Sequence, residues 1–139
     1  MKEAYVDANV ILRFLTKDPP EMAEAALNLF TDAKNGKVEV RIIPITVAEV
    51  VWVLESFYGY SKQEVATVLT EFLASDGLHV ADLNLLMEGL AVYEAKNIDF
   101  ADALLGVTVL RSDASLIYSF DPHFDRIAGV KRAKPGEIL

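Results

Sequence analysis

Along most of the chain apolar residues recur at helical spacing, and between those stretches lie short runs rich in β-branched residues. Ala4-Tyr5-Val6 predicts a first strand that runs into Asp7-Ala8-Asn9 and then a helix over Val10-Ile11-Leu12-Arg13-Phe14-Leu15. Pro19-Pro20 opens a second helix with the apolar stripe Met22, Ala26, Phe30 and Ala33, and Asn35-Gly36 ends it. Val38 to Ile43 predicts a second strand, which Pro44 separates from a third helix running from about Thr46 to Tyr58 and closed by Gly59. Ser61-Lys62-Gln63-Glu64 is a capping-box pattern ahead of the amphipathic series Val65, Val68, Leu69, Phe72 and Leu73. Leu78-His79-Val80 reads as a short strand. Asp82 then caps a helix with the stripe Leu83, Leu86, Leu90 and Tyr93, stopped at Lys96-Asn97. A last helix begins near Asp99 and continues through Leu110, followed by a buried strand from Ser115 to Phe120 and a short one at Gly129-Val130-Lys131.

Strands separated by helical segments of this length predict an α/β fold, a three-layer α/β/α sandwich around a mainly parallel central sheet. Ligands of such folds gather at the carboxyl ends of the strands. The length of 139 residues, with 53% hydrophobic, predicts one domain spanning residues 1–139 without repeat or linker.

Composition narrows the chemistry. Cysteine is absent, so any metal must be held by oxygen or imidazole. The residues after Met1 contain no apolar leader, and the expectation is a soluble, cytoplasmic protein. A formal net charge of -8 is the opposite of what binding nucleic acid by phosphate neutralisation alone requires. A nucleic-acid substrate would need bridging cations or a local basic patch. Arg126, Lys131, Arg132 and Lys134 are the candidate patch, with a solvated tail as the alternative.

Several acids then stand out. Glu49 lies within Val47-Ala48-Glu49-Val50-Val51-Trp52-Val53-Leu54, apolar on every side, and its carboxylate is expected to be at least partly removed from water. A carboxylate in that position needs a cation, a hydrogen-bond network or a metal; a structural salt bridge is the alternative. Asp102 repeats the anomaly within Phe100-Ala101-Asp102-Ala103-Leu104-Leu105, where aspartate is also a poor helix former. Asp99 lies on the same helical face and could equally be the cap of that helix. Asp7 and Asp121 each follow a strand, where an α/β fold places its chemistry, although Asp7 could also be a helix cap. Together these side chains would form an all-oxygen pocket suited to Mg²⁺ or Mn²⁺, able to activate water and offset charge on a phosphodiester. His79 and His123 lack the sequence context of catalysts. No Gly-rich phosphate loop, nucleophile elbow or HExxH motif is present.

Val6-Asp7-Ala8-Asn9-Val10-Ile11-Leu12-Arg13, Thr46-Val47-Ala48-Glu49-Val50-Val51-Trp52-Val53-Leu54, Asp99-Phe100-Ala101-Asp102-Ala103-Leu104-Leu105 and Ser119-Phe120-Asp121-Pro122-His123-Phe124 resemble, in order, the four acidic motifs of the PIN domain, in particular the VapC type of toxin-antitoxin systems. The resemblance implies a Mg²⁺- or Mn²⁺-dependent endoribonuclease, inhibited by a cognate antitoxin and forming a homodimer; the apolar third and fourth helices offer surface for that contact, with internal core as the alternative for the same residues. By position it makes Asp7, Glu49, Asp102 and Asp121 metal-binding or water-activating carboxylates and Asp99 an accessory acid. Asn9, Thr46 and Ser119 resemble groups that orient carboxylates or phosphate oxygens, with Ser119 standing where the family commonly has threonine. Arg13 would contact substrate, antitoxin or an active-site carboxylate, or be a plain surface arginine. Two other readings stay open: an interaction module of the same fold without chemistry, and a metal-dependent phosphatase, which Asp7-Ala8-Asn9 disfavours by lacking a second aspartate two residues on.

Overall fold

The computed structural model describes residues 2–137. It divides into two compact units, Met1–Leu83 and Asn84–Leu139.

In the first unit β1 (Lys2–Tyr5), β2 (Val38–Ile42) and β3 (Leu78–Val80) pair in parallel in the order β1-β2-β3. Parallel neighbours need long crossovers. These are supplied by α1 (Ala8–Thr16) with α2 (Pro20–Lys34), and by α3 (Pro44–Ser56) with α4 (Lys62–Leu73). Central β2 buries Val40 and Ile42, while the helices bury Ile11, Leu12, Val47, Val50, Leu54 and Leu69. Phe14, Phe30 and Phe72 meet with ring centroids 5.0 to 5.7 Å apart and lock α1, α2 and α4 together. The capping box of α4 is present as expected: Ser61 Oγ accepts from the Glu64 amide at 3.1 Å and Glu64 Oε1 from the Ser61 amide at 3.0 Å.

The second unit contains α5 (Leu83–Lys96), α6 (Phe100–Arg111), a parallel pair β4 (Leu116–Tyr118) and β5 (Lys131–Ala133), and a 3-10 turn at Pro122–Arg126. Its core is Leu86, Leu90, Tyr93, Phe100, Val107 and Phe124, with Tyr93 and Phe100 edge to face at 5.9 Å. Gly106 governs a close approach: a Cβ there would collide with Ile127 and touch Phe124, so its absence lets the end of the 3-10 turn lie against α6.

The α/β class with parallel strands and helical crossovers is what the structure has. Several boundaries differ from the expected ones. Pro44 does not separate β2 from α3 but occupies the first helical turn, where its fixed φ suits the helix and no amide hydrogen is needed. The strand expected at Gly129 starts at Lys131, because Gly129 turns the chain at φ +91°. β4 is three residues long and half-buried to exposed rather than a buried run to Phe120. Asp82 adopts φ +54° instead of the extended backbone of a cap. Met22 faces away from the core of α2, with 56% of its surface exposed.

The expected C-terminal basic patch is partly drawn into the fold. Arg126 Nη1 donates to the Lys96 and Asn97 carbonyls at 3.2 and 2.7 Å, satisfying the end of α5, and Arg132 forms an ion pair with Asp125. Two of the patch's four cations therefore serve the fold. No helix among the described residues is long and apolar enough to cross a membrane.

Candidate functional site

In the first unit Asp7 ends the link from β1 and caps α1: its Oδ1 accepts the Val10 amide at 3.1 Å. The carboxylate is exposed, and Oδ2 is left for another ligand. Asp7, Asn9 and Arg13 line a groove of about 470 Å³ between α1 and α2, together with Val10, Met22 and Leu29. Arg13 is half-buried, and its Nη1 donates to the Asp18 carbonyl at 3.3 Å and the Tyr58 hydroxyl at 3.4 Å, so it is tethered rather than free at the surface. Thr46 is half-buried in the first turn of α3.

Glu49 corrects the sequence reading, because it is exposed and not withdrawn from water. α3 turns Val47, Val50, Val51 and Leu54 inward and leaves Glu49 among outward apolar side chains: Ile45 is 74% and Trp52 68% exposed. A helix apolar all round does not reveal from sequence which face is covered.

The second unit assembles its acids around the start of α6. Asp102 sits half-buried in the first helical turn. Its carboxyl is pushed above the ordinary aspartate range, first by burial, then by the negative charges of Asp121 and Asp99, with His123 opposing them. Asp99 occupies the cap position of α6 but its side chain makes no capping bond, so its exposed carboxylate is free of the structural duty that position suggested. Asp121 caps the 3-10 turn: its Oδ1 accepts the His123 amide at 2.8 Å and lies 3.4 Å from His123 Nδ1. The Asp121 amide in turn donates to Ser119 Oγ at 2.9 Å. Ser119 thereby holds the backbone amide of Asp121. His123, whose sequence context did not suggest a catalyst, stands beside Asp121, and its spacing two residues on is the local signal for that proximity.

Burial raises Asp102 most, and the charges of Asp121 and Asp99 add to it; these oxygen donors match the ligand preference of a hard divalent cation, which would offset that added repulsion. Among the described residues, however, no three His, Asp or Glu side chains stand close enough together to hold a metal ion. The donor chemistry fits, without a finished coordination shell.

A parallel α/β scaffold carrying acids at the start of its helices and at strand ends defines a class of acid-centred α/β proteins. The PIN domain family profile matches residues 4–130, running through both units, and the chain belongs to that family. PIN domains are generally nucleases, and those nucleases usually use divalent metal ions. No curated protein and no solved structure matched the chain in the same comparisons.

Proposed function

We propose that this protein is a Mg²⁺- or Mn²⁺-dependent endoribonuclease hydrolysing RNA phosphodiesters, the VapC-type toxin of a toxin-antitoxin pair. The observation that carries the reading is the half-buried Asp102, whose carboxyl is raised by its surroundings and by Asp121 and Asp99. Acids held in mutual repulsion are costly to the fold, and a cation-dependent reaction is the role that accounts for them.

In this reading Asp102 and Asp121 of the second unit, with Asp99 as accessory acid, and Asp7 and Glu49 of the first are the carboxylates that hold metal or activate water. When bound, the cation supplies Lewis acidity to a water and to the phosphodiester. The chain's own residues do the positioning. Ser119 and the His123 amide fix Asp121. Asp7 keeps one oxygen on the α1 amide and offers the other. Asn9 and Thr46 orient carboxylates or phosphate oxygens. Arg13, tethered by Tyr58, contacts RNA or the antitoxin. The negative net charge makes cations a condition of RNA binding rather than an obstacle to it. The homodimer we propose would use the outward face of α3, where Ile45 and Trp52 are exposed; α4 contributes little, since Val65, Ala66, Leu69, Phe72 and Leu73 are buried.

The test is cleavage of single-stranded and structured RNA by purified protein in Mn²⁺, compared with Asp102→Asn. Expected is metal-dependent cleavage lost in the variant while its fold persists. Intact RNA under every metal condition would leave a binding module with a nuclease fold.

A further inference from the structure

The sequence placed Arg132 in a surface patch, but its guanidinium does something more specific. Only 15% of the side chain is exposed. Nε and Nη2 donate to the two oxygens of Asp125 at 3.0 and 3.1 Å, and Nη1 donates to the Ser119 carbonyl at 3.2 Å. One rigid cation thus grips two points of the chain that bracket Asp121: the end of the segment leaving β4, and the interior of the 3-10 turn that Asp121 caps. The parallel register makes this reach possible, with Ile117 opposite Arg132 and the Ser119 amide donating to the Ala133 carbonyl at 2.9 Å. Ser119 is therefore held through both its amide and its carbonyl, while its hydroxyl accepts the Asp121 amide.

We propose that the Arg132–Asp125 fork is the positioning device for Asp121: by fixing Ser119 and the turn together it sets where the Asp121 carboxylate points, and so the strength of divalent-cation binding by this acidic cluster. This rests on the metal-dependent reading above. Arg132 touches no substrate in this account; it is a positioning residue. Its identity matters because a planar guanidinium makes the bidentate bond and still has a third nitrogen for the Ser119 carbonyl, whereas an ammonium is a single point donor. Asp125, exposed and outside the acidic motifs, is joined to Ser119 by this fork.

The experiment compares wild type, Arg132→Lys and Arg126→Gln. The last breaks two carbonyl bonds at the end of α5 but leaves the fork untouched, and controls for general loss of stability. Mn²⁺ affinity is measured from the spin resonance of free Mn²⁺, and exchange protection of the Asp121 and His123 amides by NMR in metal-free protein. We expect Arg132→Lys to weaken Mn²⁺ binding about 10-fold or more, as loss of a ligand-orienting partner does, and to expose both amides to exchange. Its kcat on RNA should fall with KM little changed, and Arg126→Gln should do none of these. Unchanged Mn²⁺ affinity and amide protection in Arg132→Lys, or equal losses in Arg126→Gln, would overturn the proposal. Should Arg132→Lys fail to fold, Asp125→Asn, which keeps the guanidinium and a neutral acceptor, should show the same pattern more weakly, and its absence there counts equally against the fork. A wild type that binds no Mn²⁺ sinks the metal reading alone, and the amide protection still decides whether Arg132 positions Asp121.

Discussion

Asp7 carries two roles that substitution can separate. Its Oδ1 caps α1 through the Val10 amide, and the proposed function needs its negative charge as well. Asparagine caps a helix about as well as aspartate, whereas alanine at such a position costs about 1 kcal/mol. An unfolding entropy of about 2.1 cal/mol/K per residue over 139 residues is on the order of 290 cal/mol/K, so a loss of that size lowers Tm by about 3 °C. Because Asp7 is exposed, no desolvation gain complicates the comparison. Asp7→Asn should therefore melt within about 1 °C of wild type, and Asp7→Ala about 3 °C lower. Both should cleave RNA in Mn²⁺ more than about 100-fold more slowly, beyond what residues that merely support metal ligands give. Circular dichroism melts and single-turnover cleavage provide the two readouts. If Asp7→Asn cleaves at the wild-type rate while Asp7→Ala loses only stability, Asp7 is a helix cap and has no part in the chemistry.

Asp102→Asn should stabilise the protein. The folded carboxyl is raised above its unfolded value by burial and by Asp121 and Asp99, so the native state holds the extra proton between the two values. Stability then falls as pH rises through that window and the loss is complete above it. Urea melts from acid to neutral pH should show a flatter profile and a higher midpoint at neutral pH for the variant; an unchanged profile would count against the repulsion. Mn²⁺ should do the reverse for wild type, adding about 2.7 kcal/mol at a hundredfold excess over Kd, with most of that shift absent in Asp102→Asn; a wild-type Tm indifferent to Mn²⁺ would remove the metal from the account. Glu49→Gln, altering an exposed side chain, should change stability by less than about 0.5 kcal/mol while slowing cleavage, and wild-type cleavage by it would strike Glu49 from the acids that act.

What could be seen in the sequence follows the range of the interaction. The α4 capping box was legible because both partners lie within one turn, and the Asp102 anomaly was legible because a poor helix former amid apolar residues is a local contradiction. Asp99 shows the limit of local reading: the cap position is correct, yet whether its side chain makes the capping bond depends on the rotamer and not on the pattern. The chain of bonds from Arg132 through Ser119 to Asp121 was invisible for a different reason. It exists only once β4 and β5 pair in parallel at a particular register, and the expected last strand was two residues too early.

Glu49 is the instructive error, because the argument for it was burial. In a helix whose inward and outward faces are both apolar, a carboxylate surrounded by valines in sequence can still point to water in space. The anomaly on α3 is no longer a withdrawn acid but an exposed one between Ile45 and Trp52, whose own exposure is the unfavourable feature. An apolar surface flanking a negative charge is what a partner would cover and what metal-dependent chemistry would leave open, so the two proposed uses of α3 compete for the same face. If both hold, the dimer contact must take Ile45 and Trp52 while sparing the carboxylate between them.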